Sequence, residues 1–462
     1  MPGDQDGYSA GGGVGPYGSV VSNGRLHQQG TSLGPEPVEG PALAADSFQW
    51  NKQWYPLVPV SYLDRDQPKG MVVLGKSLVV WYHSPSKSWQ CFEDMCPHRL
   101  APLSGKHWAQ SVTAAGKGRI EPATGSLMCS YHGWEFGPGG ACTSIPQADS
   151  PQQEEAALGS RRSCVASYPV REQEGMLWVW LDASPSAALE SSMRRVALSS
   201  ELQDGSGILL GDWYMRDLPV SYEYLLENLV DPGHVNFAHH NRIGSRDRAG
   251  PIALIQSGPV TAQEGFAVGM DRKDLPGGAP SVTRFVPPSL AWLSFNPLGS
   301  GPAFSFLFYA VPIAPGHSRI FAGYSTNAAP AIVRQALKSG ALTPLLHSFQ
   351  WLSDLGAHEI INGDTLFLRH QEGRTAGSGR RWGSAQYFMP SSSDRGVVLL
   401  RKWLEECAGG GPAYGPAAAG FQMPTPPNAA AASVCEANAG EELPDVSVIQ
   451  HAFNHSWLVA GQ

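Results

Sequence analysis

The chain has 462 residues, of which 42% are hydrophobic and 16% are charged. This composition is typical of a globular protein, and the length allows two or three domains. The formal net charge is −8 and no dense run of Lys and Arg is present, which argues against a nucleic-acid partner. Seven cysteines are too few and too scattered for a secreted disulfide scaffold, which favours a reducing compartment with metal-bound thiolates.

Residues 1–47 are rich in glycine and proline, and we predict that this segment is disordered. It contains five acidic residues and only one arginine, whereas a transit peptide is basic and poor in acids. No clear transit peptide is therefore expected. No run of 18 apolar residues occurs, so no transmembrane segment is expected in this chain either.

Residues 48–183 contain short β-branched and aromatic runs separated by Gly, Pro and Ser. This pattern predicts an antiparallel, all-β domain. A polar stretch of small residues at 105–118 divides it, and we predict a loop insertion there. The Ser- and Ala-rich segment 184–209 is predicted to be a linker.

Residues 210–404 begin with a helical pattern in "VSYEYLLENLV", continue with strand-like runs over 250–325 and end in a mostly helical stretch. They predict a larger α+β domain with an antiparallel sheet and helices. The rest, 405–462, is rich in Gly, Ala and Pro, which predicts a low-complexity, disordered tail. The fold class is therefore α+β, with the all-β domain first.

The stretches "CPHRL" and "CSYHGW" place Cys96 with His98 and Cys129 with His132, separated by 30 residues. Thiolates and imidazoles together are ligands for a soft metal, and a structural zinc site is one candidate. Two such pairs on separate hairpin loops also resemble the Rieske arrangement. In that arrangement two histidines replace two cysteines on one iron of a [2Fe–2S] cluster.

The stretch "ENLVDPGHVNFAHH" offers Asn228, Asp231, His234 and His239. Two imidazoles and one carboxylate form the facial triad of non-haem iron oxygenases. Residues five apart in a regular helix lie about 140° apart, so both histidines could share a metal only if the adjacent Pro-Gly pair or a π-bulge breaks the helix. The alternatives are that these histidines cap or pack a helix end, or that His240 replaces His239.

The third ligand must come from farther along the chain, where Asp354, Glu359 and Asp364 are candidates. We favour Asp364, because "NGDTLFLRHQE" places it just before an amphipathic helix that could face the first one. The alternative role for Asp364 is to cap that helix at its N-terminus.

Over residues 48–404 the chain resembles Rieske-type non-haem iron oxygenases, and more narrowly the pheophorbide a oxygenase group of plants and algae. That group includes the chlorophyllide a oxygenases and the envelope translocon Rieske proteins. The resemblance is carried by motifs that include "CFEDMCPHRLAPLS", "CSYHGWEF", "YPVREQEGMLWVWL", "ENLVDPGHVNFAH" and "YFMPSSSDRGVVLLRKW".

The resemblance implies site residues. The cluster ligands would be Cys96, His98, Cys129 and His132, and the ligands of a mononuclear Fe(II) would be His234, His239 and Asp364. Asp231 and Asn228 are the candidate catalytic residues. Asp231 would link, through hydrogen bonds, the iron site of one subunit to the cluster of its neighbour in a homotrimer.

The resemblance also implies an activity. The chain would use O2 and electrons from a reduced ferredoxin or an NAD(P)H chain to oxygenate a chlorophyll-derived tetrapyrrole with a free propionate, in the chloroplast. The alternative is a redox carrier or sensor related to the translocon proteins, which would need the cluster but no catalytic iron.

Overall fold

The computed structural model describes residues 48–105, 118–271, 280–295, 304–338, 343–377 and 387–421. All of them belong to one unit that begins at Ala45. The predicted disordered segment 1–47, nearly all of the predicted insertion and the end of the tail lie outside the described residues.

The first part of the chain forms short strands, because β-branched and aromatic residues fill runs that glycine turns interrupt. Gly75, for example, has a φ of 64° in the turn between two strands. The strands are β1 (Trp54–Pro59), β2 (Lys69–Val73), β3 (Lys76–His83), β4 (Ser88–Glu93), β5 (Arg119–Ile120), β6 (Leu127–Met128), β7 (Glu135–Phe136), β8 (Cys142–Ser144), β9 (Ser167–Tyr168), β10 (Val170–Gln173) and β11 (Met176–Trp180).

Among the described residues these strands form three antiparallel sheets, with the orders β1-β11-β10, β2-β3-β4-β9 and β5-β6-β7-β8. The cysteines of both candidate cluster loops share a buried core with Trp81, Phe92, Leu127 and Phe136. The loops therefore rest on one rigid support. A helix that the sequence pattern did not predict, α1 (Pro151–Leu158), also belongs to this part of the chain.

The larger part of the chain alternates helices with longer strands. Its elements are α2 (Ala187–Ser192), α3 (Ser200–Gln203), β12 (Ile208–Leu209), β13 (Tyr214–Leu218), α4 (Tyr222–Leu229), α5 (Val235–Ala238), β14 (Leu254–Thr261), β15 (Gly265–Asp271), β16 (Pro280–Val286), β17 (Leu290–Phe295), β18 (Phe304–Ala314), β19 (His317–Thr326), α6 (Ala331–Lys338), α7 (Thr343–Gly377) and α8 (Arg395–Glu406).

The long strands form one antiparallel sheet in the order β12-β19-β18-β17-β16-β15-β14, and β13 also pairs with β19. Helix α4 packs on β18, and α8 packs on β14 and β15. Within the described ranges, no helix has both the length and the apolar composition needed to cross a bilayer. The sheet and its helices confirm the predicted α+β fold.

The segment 184–209 is more structured than the predicted linker. It contains α2 and α3, and β12 joins the large sheet with Ile208 opposite Thr326. The buried carboxylate of Glu201 accepts a hydrogen bond from the Ser325 hydroxyl at 2.6 Å. Its small polar residues suggested a linker, but these contacts attach the segment to the sheet.

The first part of the predicted tail is ordered, which corrects the expectation for residues 405–421. Helix α8 continues to Glu406, and a 3₁₀ turn covers Pro416–Gly420. The backbone N–H of Gly415 donates to the Leu74 carbonyl at 2.7 Å. Backbone hydrogen bonds of this kind do not depend on side-chain composition, so a Gly- and Ala-rich sequence could form them.

Candidate metal centres

The two candidate cluster loops have the same backbone arrangement. The N–H of Cys96 donates to the Ala101 carbonyl at 2.8 Å, and the N–H of Cys129 donates to the Trp134 carbonyl at 2.8 Å. Each cysteine therefore begins a closed loop of the same length. The histidine of each loop lies inside it, which holds both ligand types close to the loop base.

Both loops close through a residue in the left-handed region. Leu100 has a φ of 59° and Gly133 a φ of 73°, and each donates its N–H to the carbonyl of the cysteine four residues before it. This region is unfavourable for a leucine, and such outliers cluster at functional sites. The fourth residue after each cysteine is thus used to turn the backbone around the ligands.

The four side chains meet as two like pairs. The thiols of Cys96 and Cys129, both buried, form a hydrogen bond with each other. The rings of His98 and His132 lie 4.6 Å apart between centroids, and Trp134 stacks on His98 at 4.8 Å. One cysteine and one histidine from each loop therefore face their counterparts on the other loop.

The surroundings favour the metal-binding protonation state at Cys129 and His98, whereas the hydrogen bond with Cys129 and burial raise the pKa of the Cys96 thiol. The hydrogen bond from Cys96 lowers the pKa of the Cys129 thiol to about 6, which favours the thiolate at this position. Desolvation, followed by the nearby His132 and Arg99, lowers the pKa of His98, which favours its neutral imidazole.

The spacing of these four side chains argues against a single zinc ion. Ligand atoms around one tetrahedral zinc lie about 3 to 4 Å apart, as bond lengths of about 2.0 to 2.3 Å require. Among the described residues, the groups of three or more His, Cys, Asp or Glu with ligand atoms all within 4.8 Å of one another do not include this set. Two separate pairs fit a cluster with two metal ions instead.

The second centre begins where the helical pattern breaks. Helix α4 ends at Leu229, and the one-turn helix α5 has His234 at its N-terminal boundary and His239 at its C-terminal boundary. The Pro-Gly break that the sequence pattern required is therefore present. Because the two histidines flank one short turn instead of a regular helix, their rings come within 5.1 Å of each other.

The structure brings His234, His239 and Asp364 together, with one ligand atom of each within 4.8 Å of the others. The Nε2 atoms of His239 and His234 lie 3.2 Å and 3.9 Å from Asp364 Oδ1. The Nδ1 of His234 lies 2.6 Å from the Asp231 carbonyl and donates its proton to it. This contact directs Nε2 toward Asp364, as a metal ligand requires.

The carboxylate of Asp364 fits a metal ligand better than a structural cap. Its Oδ1 atom is buried and has no hydrogen-bond partner among the described residues. Leaving a charged oxygen buried without a partner costs free energy, and a bound cation would remove that cost. The donor set of two imidazoles and one carboxylate is the one that leaves open positions on a non-haem iron.

The other candidates lie outside this group. His240 Nδ1 accepts a hydrogen bond from the Arg246 N–H at 3.1 Å, and Glu359 pairs with Arg242. Asp354 is not part of the group either. One expectation was wrong, because Asp364 lies well inside α7 and not just before a helix. The Asn-Gly pair ahead of it costs only about 1 kcal/mol in a helix, which tertiary packing can offset.

A cavity of about 880 Å³ opens beside the triad and is lined by Asn228, Asp231, His234 and Asp364, among others. Burial raises the pKa of Asp231 above its usual value, although the nearby His234 partly opposes that shift. Its Oδ1 accepts a hydrogen bond from the Gly233 N–H at 2.7 Å. Both candidate catalytic residues therefore line the same cavity as His234 and Asp364 of the triad.

Sequence reasoning missed a buried ion pair in the wall of this cavity. Arg401 Nε lies 2.8 Å from Glu227 Oε1, both side chains are at most 10% exposed, and the Tyr387 hydroxyl donates to Glu227 Oε2 at 3.3 Å. The available signal was an arginine within the apolar stripe of α8, between Leu400 and Trp403. Such an arginine needs a buried acidic partner.

Two family models match the chain. A model described as the Rieske [2Fe-2S] domain matches residues 53–169, and a model described as Pheophorbide a oxygenase matches residues 285–382. The first range contains all four candidate cluster ligands, and the second contains Asp364.

Curated relatives match over most of the chain. A pheophorbide a oxygenase of Oryza sativa subsp. japonica is 31% identical, and the match covers 80% of this chain and 68% of the relative. Flavonoid 8-hydroxylase 2 of Ocimum basilicum is 31% identical over 81% of this chain and 69% of the relative. Protochlorophyllide-dependent translocon component 52 of Arabidopsis thaliana is 29% identical with the same coverage. All three are named as chloroplastic.

Solved structures agree with the fold. Dicamba monooxygenase bound to dicamba has a TM-score of 0.56 and 20% identity, covering 79% of this chain and 98% of that chain. The NdmA QL mutant of Pseudomonas putida CBB5 with caffeine has a TM-score of 0.54 and 18% identity, covering 77% and 90%. At this level of identity the similarity concerns the fold alone.

Proposed function

Because the chain belongs to the pheophorbide a oxygenase family of Rieske-type oxygenases, we propose that it oxygenates a chlorophyll-derived tetrapyrrole, of pheophorbide or chlorophyllide type, with O2. The chain is thus an oxidoreductase with a Rieske [2Fe–2S] domain. The observation that carries the proposal is the convergence of two histidines and one buried carboxylate beside a large cavity. Its volume of about 880 Å³ lies within the range of small-molecule sites.

The two centres have separate roles in this proposal. Cys96, His98, Cys129 and His132 hold the cluster, and His234, His239 and Asp364 hold the mononuclear iron. When bound, a [2Fe–2S] cluster supplies single electrons and an Fe(II) with open coordination positions activates O2.

The protein supplies orientation around the iron site. The hydrogen bond from His234 Nδ1 to the Asp231 carbonyl keeps the proton on Nδ1 and leaves Nε2 free. His239, which is only 3% exposed, is held by the surrounding core. Asp364 provides the negative charge that balances the cation, and substrate enters through the cavity that Asp364 and His234 line.

Asp231 and Asn228 belong to the path for electrons in this proposal. In a homotrimer, Asp231 links the iron site to the cluster of the neighbouring subunit through hydrogen bonds. The electrons come from a ferredoxin-type donor or an NAD(P)H chain, and the reaction takes place in the chloroplast. The chloroplastic relatives support that location.

The alternative is a redox carrier or sensor, which the similarity to the translocon component brings forward. A carrier needs the cluster loops but has no need for a second set of metal ligands. The orphaned Asp364 oxygen beside two histidines therefore favours an oxygenase.

The test is metal analysis followed by turnover. We expect about three irons and two acid-labile sulfides per chain in anaerobically purified protein, without zinc. Added pheophorbide a or chlorophyllide a should then be converted in an O2-dependent reaction with reduced ferredoxin. The variant Asp364→Ala should keep two irons and two sulfides but lose conversion, and Glu359→Ala is its control on the same helix.

Two results would contradict the proposal. Two irons and two sulfides per chain, unchanged by added Fe(II), would indicate the carrier. Full metal content with O2-dependent conversion of a flavonoid and of no tetrapyrrole would leave an oxygenase with the other substrate class that a relative's name suggests.

A further inference from the structure

The mouth of the catalytic cavity has an exposed aromatic rim. Phe237, Phe367 and Phe388 all line the cavity, and they are 56%, 57% and 91% exposed. Large apolar side chains that stay exposed at the edge of a cavity mark a surface for an apolar ligand. Three rings around one opening suit a flat, aromatic molecule.

Arg246 is the one cationic side chain among the described residues that line this cavity. It forms no ion pair with any described residue, and its Nη2 donates one long hydrogen bond to the Phe237 carbonyl at 3.4 Å. Arg242, four residues earlier, is paired with Glu359 instead. The Arg246 guanidinium is therefore available to a ligand.

The acidic side chains that line the cavity form no ion pair with Arg246 in the structure. Glu227 is paired with Arg401. Asp394 accepts a hydrogen bond from the Ser391 N–H in a capping box. Asp231 accepts a hydrogen bond from the Gly233 N–H, and Asp364 faces His239 in the triad. None of these carboxylates offers Arg246 a competing ion pair in the structure, so an anionic group of the ligand can bind it.

The backbone holds Arg246 at a fixed position relative to the triad. Its N–H donates to His240 Nδ1 at 3.1 Å, and the preceding Ser245 N–H donates to Asn236 Oδ1 at 3.2 Å. A Cβ on Gly244 would lie 2.2 Å from the Val235 carbonyl oxygen, so the loop packs directly on α5. The cation is thereby attached to the same short helix that carries both histidines.

We propose that Arg246 binds a carboxylate of the substrate at the cavity mouth, while the aromatic rim covers the planar body and directs its reacting edge toward the triad. This rests on the proposed function and deepens it, since it assigns the residue that distinguishes a free carboxylate from its ester. A guanidinium binds a carboxylate through two parallel hydrogen bonds, which also fixes the orientation of the ring system.

The experiment measures binding without turnover. The intact protein, anaerobic and without electron donor, is titrated with pheophorbide a and with its methyl ester, and pigment fluorescence reports Kd. The variant is Arg246→Gln, and Arg248→Gln is the matched control, because it removes the same charge from the same 3₁₀ turn outside the cavity. We expect Kd for the acid to rise about tenfold in Arg246→Gln.

Each outcome decides something. A selective loss for the acid, with the ester within about twofold of wild type and Arg248→Gln unaffected, supports the assignment. Equal loss for acid and ester, or equal loss in both variants, overturns it, even if pheophorbide is oxygenated. If neither pigment binds wild-type protein and neither is converted, the proposed substrate fails, and the assignment fails with it.

Discussion

The two candidate metal centres are built in opposite ways. The cluster loops take their ligands from two short, similar stretches, and each stretch is closed by its own backbone hydrogen bonds on one shared core. The mononuclear site combines a broken helix with a carboxylate from the middle of a 35-residue helix far along the chain. One centre is local and the other depends on tertiary packing.

The difference has a physical consequence. A loop that begins with Cys96 or Cys129 holds its ligands through hydrogen bonds inside the loop. It therefore needs only the hydrophobic core on which it packs. The triad forms only when α7 packs correctly against α4 and α5. We therefore expect the cluster to tolerate damage to the large domain, while the iron site should be sensitive to it.

The first prediction tests the local centre and has the largest expected effect. Cys129→Ser removes the thiol whose pKa is lowered to about 6, and a serine hydroxyl, which stays protonated near neutral pH, is a poor substitute for a thiolate on iron. We expect complete loss of the cluster's visible absorption and electron paramagnetic resonance signal. Cys164→Ser, at an exposed cysteine, should leave both unchanged. A normal cluster signal in Cys129→Ser would show that the loops do not hold the cluster.

The second prediction tests the tertiary centre. His239→Ala should lose the mononuclear iron and reduce turnover by at least about 100-fold, while the cluster signal stays normal. His240→Ala is the neighbouring control, because His240 accepts a backbone hydrogen bond and lies outside the triad. It should retain iron. Iron analysis and turnover distinguish the two, and the reverse result would move the ligand to His240.

The third prediction concerns the connection between the centres. Asp231→Asn keeps the backbone carbonyl that orients His234 but removes the carboxylate charge. We expect both metals to remain and turnover to fall about 10- to 100-fold, with slow oxidation of the reduced cluster in a single turnover measured by stopped flow. Asp394→Asn removes another carboxylate from the cavity lining. If both variants slow equally, loss of cavity charge explains the effect and Asp231 has no special role.

The features that the sequence predicts well are local, and the features that it predicts poorly depend on tertiary packing. The cluster residues were identified from local spacing, and the helix break before His234 was required by the angle between the two histidines. The sequence predicts Asp364 as a ligand, but the position predicted for it just before a helix is wrong, since it lies inside α7. The sequence does carry local signals for the start of α1. Ser150 caps its N-terminus and Pro151 is its first residue.

The remaining misses need three-dimensional information. The segment 184–209 joins the large sheet through Glu201 and β12, which its small polar composition does not indicate. Arg246 carries no sequence signal that separates it from Arg242 or Arg248, and only its position beside the cavity does so. The structure at these positions depends on contacts with residues far away in the sequence, and local propensity does not predict such contacts.

The smallest expected effect concerns the support of the tertiary centre. Glu223 lies in the first turn of α4, and burial raises the pKa of its carboxyl to about 7. Its unfolded pKa is near 4.5, so its contribution to stability is complete below that pH and is lost as pH rises through 7. Glu223→Gln, which carries no charge, should therefore raise the free energy of unfolding by about 2 kcal/mol at pH 8.

Near pH 4.5 the gain should approach zero, because the wild-type carboxyl is then largely protonated in the folded protein. Denaturant unfolding followed by circular dichroism at pH 5 and pH 8 measures both values, with the exposed Glu405→Gln on α8 as control. An equal gain at both pH values would mean that packing, and not the buried charge, explains the effect. A gain only at high pH would show that the buried, ionised carboxylate of Glu223 destabilises α4, the helix that leads into the triad.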